Sequence, residues 1–161
     1  MDDDIEKKEY KIILYGDNYA GTTTLLRQYI YHSFDPNIYT YQNYFLKKTM
    51  TLDNEKQVII QFWDIHHYHR YERLNNLFFK NADGFMLTYD ISNRRTFESL
   101  GELLDQIIDY AKEGISIALV ACKTDLYLEE EIRSEEGEKF AEDNYLLFYE
   151  TSAKNNVMIF F

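Results

Sequence analysis

"GDNYAGTTTLL", residues 16–26, decides how this chain is read. It has the spacing of a phosphate-binding loop, G-x-x-x-x-G-K-[ST]. Gly16 and Gly21 hold the frame positions and Thr23 the hydroxyl position, but Thr22 stands where the lysine belongs. Before it, "YKIILYG" (10–16) is a short apolar run that suits a buried strand. After it, Thr22 to Tyr31 reads as a helix with Leu25, Leu26, Tyr29 and Ile30 on one side. Such a corner can present backbone N–H groups, here of residues 19–23, to an anion at a helix N-terminus. Asn18, Tyr19, Ala20, Gly21, Thr22, Thr23 and Thr24 are the candidate contacts, with Gly16 framing them. The same residues could also make a bare strand–turn–helix corner with no ligand.

The rest of the chain repeats the alternation. Residues 1–9 read as a flexible tail and 10–161 as one domain. Residues 32–44 read as a loop, Phe45–Thr51 and Val58–Trp63 as strands joined by a turn at Asp53-Asn54, and 64–70 as a second loop. Arg70–Phe79 reads as a helix and "GFMLTYD" (84–90) as a strand. Thr96–Tyr110 carries Phe97, Leu100, Leu103, Leu104, Ile107 and Ile108, read as one buried helical stripe. "ISIALVACK" (115–123) suits a central strand, Ser134 caps a helix, and "YLLFYE" (145–150) is a last strand. Alternating strands and helices imply an open α/β sheet whose ligands gather at the carboxyl ends of the strands. Gly16–Thr23, the loop after Asp64, Lys123-Thr124-Asp125 and Ser152-Ala153-Lys154 all fall at such ends.

Composition narrows the class. The 161 residues suit one domain with its own core, and 45% hydrophobic residues with one proline argue for a folded chain. A formal net charge of −11 argues against nucleic acid or an anionic membrane as the main partner. One cysteine, Cys122, excludes an internal disulfide and suits a reducing compartment. The acidic opening "MDDDIEKKEY" does not read as a signal peptide, and no stretch approaches the length of a membrane span. Fifteen tyrosines and eleven phenylalanines are many for this length; most are read as filling the core or decorating the surface, and some as a partner surface.

"YDISNRRTFESL" (89–100), "CKTDL" (122–126) and "ETSAK" (150–154), in that order after the glycine loop, resemble a small GTPase of the Ras superfamily, most closely the Rab branch. The likeness covers residues 10–161. It implies a three-layer P-loop G-domain, an α/β fold with a six-stranded, mostly parallel sheet and helices on both faces. It further implies that GTP or GDP binds, with Asp125 accepting from guanine N–H groups and Lys123 lying along the base. By the same likeness Ala153 gives a backbone N–H to the guanine carbonyl, steadied by Ser152 and Lys154, and Phe34 covers the base edge. Cys122 replaces the asparagine that ties neighbouring loops together. For Mg²⁺ the likeness points to Thr23, Asp64 and Thr40. The family's W-D-T-A-G-Q-E is here Trp63-Asp64-Ile65-His66-His67-Tyr68-His69, so His67 takes the γ-phosphate-sensing glycine's place and Tyr68 that of the water-positioning glutamine.

The expectation is therefore guanine-nucleotide binding with weak or near-absent hydrolysis, in a regulator of vesicle traffic or signalling. Effector or regulatory proteins would meet Tyr39, Tyr41, Tyr44 and Tyr68 on the switch loops. Cytoplasmic residence, peripheral on endomembranes and without direct insertion, is implied with it. One rival is a nucleotide-free pseudo-GTPase that serves as an interaction module, with Lys123 and Asp125 a leftover surface pair. Another is a metal-dependent module built on His66, His67 and His69, which also read as a plain polar loop. "NNVMIFF" (155–161) reads as the start of the family's closing helix, cut short, with a second domain of a longer or tandem protein expected beyond it.

Overall fold

The computed structural model describes residues 8–37, 44–52, 56–66 and 77–157. In chain order these form β1 (Lys8–Gly16), α1 (Thr22–Tyr31), β2 (Tyr44–Thr51), β3 (Gln57–His66) and β4 (Gly84–Asp90). They continue with α2 (Arg94–Glu98), α3 (Leu100–Tyr110), β5 (Ser116–Cys122), a 3₁₀ turn at Thr124–Glu129, α4 (Ser134–Asp143) and β6 (Leu147–Glu150). The six strands make one sheet in the order β2-β3-β1-β4-β5-β6. Only β2, running against β3, is antiparallel; the other neighbours are parallel. This is the expected α/β architecture.

Period-two alternation in β1 sorts its side chains between the two faces. Ile13 and Tyr15 enter a core under α3 and α4, while Leu14 enters a second core under α1. In α3 the buried set is Leu100, Leu103, Leu104 and Ile107, the i, i+3, i+4, i+7 spacing of one helical face. Ile108, expected on that stripe, is 63% exposed, because one residue past Ile107 turns the side chain about 100° round the helix. On the α1 side a cavity of about 340 Å³ opens beside the helix, lined by Ile12, Ile60, Phe62, Met86, Ala118 and Leu147 among others.

Several boundaries differ from the sequence reading. Lys8 and Glu9, read as tail, pair with Val58 and Ile59 in the sheet. Strand β3 runs on to His66, so Asp64, read as loop, is an in-register partner of Leu14. The helix expected over 96–110 is split at Ser99 into α2 and α3. Ser134 does not cap α4. Arg133 is the cap, and its N–H donates to the Glu136 carboxylate (3.2 Å) while Glu136 N–H returns to the Arg133 carbonyl (3.0 Å). The last strand starts at Leu147, after Tyr145 takes a left-handed φ of 58°. Asn155–Val157 make a turn rather than a helix start, closed by reciprocal backbone bonds between Ser152 and Val157. The Asp53-Asn54 turn, most of the helix expected over 70–79 and residues 158–161 lie outside the described residues; 77–79 are helical.

Candidate functional site

Parallel pairing brings the ends of β1, β3, β4 and β5 to one edge: Gly16 lies opposite His66 and Thr88, and Asp90 opposite Cys122. The loops leaving that edge carry the candidate residues. Two glycines are needed there for different reasons. A Cβ on Gly16 would stand 2.1 Å from Thr88 Oγ1 and 2.9 Å from the Thr88 carbonyl. Gly21 has φ 99°, where a side chain is strained. Tyr19 has φ 69° with its ring 71% exposed, so the loop holds a bulky residue in left-handed backbone. That conformation costs about 1–2 kcal/mol.

At the phosphate-loop end the hydroxyls turn toward the protein. Thr22 Oγ1 and Thr88 Oγ1 are 2.9 Å apart, both buried, and Thr88 Oγ1 also reaches the Tyr15 carbonyl at 3.4 Å. Thr23 Oγ1 donates to Asp64 Oδ2, and both residues are buried. Of the expected N–H donors, Ala20 is spent on a turn to the Asp17 carbonyl (3.1 Å). Helix α1 starts after Gly21, which offers no side-chain cap. Asn18 N–H donates to its neighbour Asp17 Oδ1 (2.7 Å). Asp17 Oδ2 meets Ser99 Oγ (3.3 Å) and Arg95 Nε (3.6 Å). Thr24 lies on α1, two residues past its first turn's opening. Thr23 and Asp64 offer a hydroxyl and a carboxylate oxygen side by side, a donor pair whose chemistry fits Mg²⁺.

The other end is tied together more closely. Lys123, at φ 64°, sends its ammonium to Asp90 Oδ2 (2.5 Å) and to the Tyr19 carbonyl (2.8 Å). One side chain thus links the β5 loop, the end of β4 and the glycine loop. Asp125 Oδ1 accepts from Ser152 Oγ (2.7 Å), and Ser152 Oγ accepts from Asn155 N–H (3.0 Å). Thr124 N–H and Oγ1 both reach the Thr151 carbonyl at 3.1 Å. These bonds bring "KTD" and "SAK" together, although they are distant in sequence. Cys122 is 3% exposed; burial pushes its thiol up to about 12, so it is neutral and packs as a small apolar side chain. A Cβ on Gly21 would sit 3.3 Å from Cys122 Cβ, so the cysteine fills space under the loop instead of hydrogen-bonding it.

The remaining expected residues are less engaged. Ala153 packs against the α1 core, Lys154 is exposed, and Phe34 is 40% exposed. Thr40, Tyr39, Tyr41, His67, Tyr68 and His69 lie outside the described residues, as do the side chains of Tyr44 and His66. Among the described residues no group of three potential metal ligands converges. No described helix is long and apolar enough to cross a membrane.

Four residues at the site, Asp17, Thr88, Asp90 and Arg95, were not singled out from sequence. Thr88 and Asp90 carry a signal that could have found them: they are polar residues in the otherwise apolar run "GFMLTYD", at the strand end that faces the ligand edge. An aromatic row on the β2–β3 side was also missed. Phe45 and Trp63 have ring centroids 4.7 Å apart, and Trp63 and Phe78 5.4 Å. Lys11 Nζ sits 4.7 Å from the Trp63 ring and donates to the Phe78 carbonyl (2.8 Å); burial lowers its pKa.

Comparison with known proteins agrees with this geometry. The sequence model of the Ras family matches residues 11–160. The chain is similar to the GTP-binding protein Rab-3D of Rattus norvegicus, 30% identical over 150 residues that cover 93% of this chain and 68% of the relative. It is similar to the Ras-related protein RABA5c of Arabidopsis thaliana, 32% identical over 163 positions covering 99% and 76%. It is similar as well to the Ras-related protein Rab-2B of Dictyostelium discoideum, 32% identical over 146 residues covering 90% and 72%.

Proposed function

The chain belongs to the Ras family, as a Rab-like small GTPase, and from that premise we propose that it binds GDP or GTP chiefly through the guanine base and turns GTP over weakly or not at all. The observation that carries the reading is the tie between Asp125 and Ser152 at 2.7 Å, with Lys123 clamped to Asp90 and Tyr19 beside it. A carboxylate held by one donor still has lone pairs for the two N–H groups that guanine presents. Residues Ala153 and Lys154 complete that end, and the ring of Phe34 is solvent-accessible for contact with a base. A relative's name supports the ligand class: the rat protein is called GTP-binding.

Phosphate would meet backbone N–H groups of the glycine loop at the N-terminus of α1, with Gly16 and Gly21 permitting close approach. If Mg²⁺ accompanies the nucleotide, Thr23 and Asp64 would hold it, and it would supply charge neutralisation for the phosphates. Thr22 brings no cation to the loop, and Tyr68 offers no amide to orient water. A lost charge-assisted hydrogen bond costs about 1.5–3 kcal/mol. Loss of the asparagine tie at Cys122 adds about 1–2 kcal/mol, so the two together reach about a thousandfold in affinity. A nanomolar ancestral site would remain micromolar. Hydrolysis loses charge stabilisation and water positioning at once, so turnover suffers more than binding.

Titration with a fluorescent guanine nucleotide tests the reading. Saturable binding in the micromolar range, competed by GDP and not by ADP, is expected; no saturation at high micromolar nucleotide overturns it. One observation favours the second reading, a nucleotide-free interaction module. The hydroxyls of Thr22 and Thr23 are both engaged by protein groups, so the loop is internally satisfied. That reading expects no nucleotide to copurify and partner binding that ignores added GTP.

The partner side of the proposal concerns effectors of membrane traffic, with the chain peripheral on endomembranes. In sequence, Tyr39, Tyr41 and Tyr44 lie just before or at the start of β2 and Tyr68 just after β3, the strands that carry Phe45 and Trp63 of the aromatic row. Aromatic residues of this kind favour protein interfaces.

A further inference from the structure

The loop that should carry a cation carries Thr22, and Thr22 spends its hydroxyl on Thr88. If phosphate is held here, its charge must be met by another residue. Four described cations lie on or beside the loops of this edge. Lys154 is exposed on the loop after β6, at the base end. Lys123 is committed, with its ammonium 2.5 Å from Asp90 Oδ2 and 2.8 Å from the Tyr19 carbonyl. Arg94 is turned away, its guanidinium paired with Glu136 (2.7 Å) and bonded to the Glu131 carbonyl. Arg95 differs from them. Its Nε stands 3.6 Å from Asp17 Oδ2, on the first residue after Gly16, and its side chain is 82% exposed.

We propose that Arg95, reaching across from the start of α2 to the glycine loop, supplies the phosphate-facing positive charge that Thr22 does not. The inference rests on the nucleotide-binding reading above. Three features support it. The 3.6 Å contact is longer than a hydrogen bond, so Asp17 positions the guanidinium without saturating it. A guanidinium has five N–H donors in a planar fork, more than one carboxylate can occupy, so an oxyanion can be met by others of them. Asp17 does not depend on Arg95: it keeps Asn18 N–H at 2.7 Å and Ser99 Oγ at 3.3 Å, so Arg95 can shift toward phosphate without stranding a buried carboxylate. The acidic character of the chain makes such a cation more necessary, since an unshielded loop would repel a polyphosphate.

The test measures affinity for guanosine, GMP and GDP in wild type, Arg95→Ala, Arg95→Gln and Arg94→Ala, each checked by thermal melting. Arg95→Ala and Arg95→Gln should weaken GDP by about threefold to tenfold, a range set by an exposed charged contact, and guanosine by less than twofold. Added salt should shrink the wild-type advantage of GDP over guanosine. Arg94→Ala should leave all three ligands unchanged. In a Thr22→Lys background the Arg95→Ala effect should fall to about twofold or less, because the two charges then serve one anion. If wild type binds all three ligands and Arg95→Ala binds GDP equally well, the Arg95 assignment is overturned while the guanine reading stands. If wild type binds none of them, both fall together.

Discussion

The two ends of the ligand edge are built on opposite plans. At the base end, polar side chains cross between loops: Lys123 reaches Asp90 and Tyr19, Asp125 meets Ser152, and Thr124 meets Thr151. At the phosphate end, polar side chains fold back into the body: Thr22 onto Thr88 and Thr23 onto Asp64. The first plan makes a rigid receptor out of three loops. The second ties the glycine loop to the body of the sheet. Among the described residues, few side-chain contacts join the two ends. Lys123 is the main exception, since it ties to the Tyr19 carbonyl.

The comparison breaks most severely at Asp125. Asp125→Ala removes the acceptor for guanine N–H groups and the partner of Ser152 Oγ. Loss of two hydrogen bonds to a charged group amounts to about 3–6 kcal/mol, so guanine-nucleotide affinity should fall by a hundredfold or more, about 1.4 kcal/mol per tenfold. Competition titration with GDP measures it, and an affinity within fivefold of wild type would refute base-led binding. Next comes Gly16→Ala, which attacks the phosphate end alone. Its Cβ meets both the hydroxyl and the carbonyl of Thr88, so rotating the threonine cannot relieve the clash. Destabilisation of about 1–3 kcal/mol is expected, read as a lowered melting midpoint. Adding Thr88→Ala should restore only part of it.

Thr22→Lys sharpens the contrast in the other direction. It sacrifices the hydroxyl pair with Thr88 but brings a cation to the loop, and GTP affinity should rise by about tenfold to a hundredfold. Single-turnover hydrolysis should stay near background until Tyr68→Gln and His67→Gly are added. Unchanged affinity in a folded variant would mean that the loop does not touch phosphate.

The smallest effect is expected away from both ends. Arg94, with help from the Arg133 N–H, holds the Glu136 carboxyl below its ordinary value of 4.5. A depressed carboxyl contributes stability that is fully present above its unfolded pKa and lost as pH falls through the lower folded one. Glu136→Gln should therefore lower the melting midpoint slightly at neutral pH, and the difference from wild type should vanish on the acid side of 4.5. The pair is exposed, so a difference that persists at low pH would point to packing instead of charge.

Much of this was legible in the residues themselves. The order of strands and helices followed from periodicity, and α1 and β4 begin and end where the apolar pattern does. The glycine frame followed from spacing, because backbone turns and close approach make local demands that few residues meet; the base-end residues were implied by the resemblance that their motifs carry. What local pattern could not decide were contacts between segments far apart in the chain. Lys8 and Glu9 look like tail until Val58 and Ile59 lie beside them, and Asp64 looks like loop until Leu14 extends the ladder. Thr22 shows by itself only that a cation is missing. That its hydroxyl bonds Thr88, and that Arg95 stands beside Asp17, follow from strand register and helix placement, which bring together groups whose attraction acts only over a few ångströms.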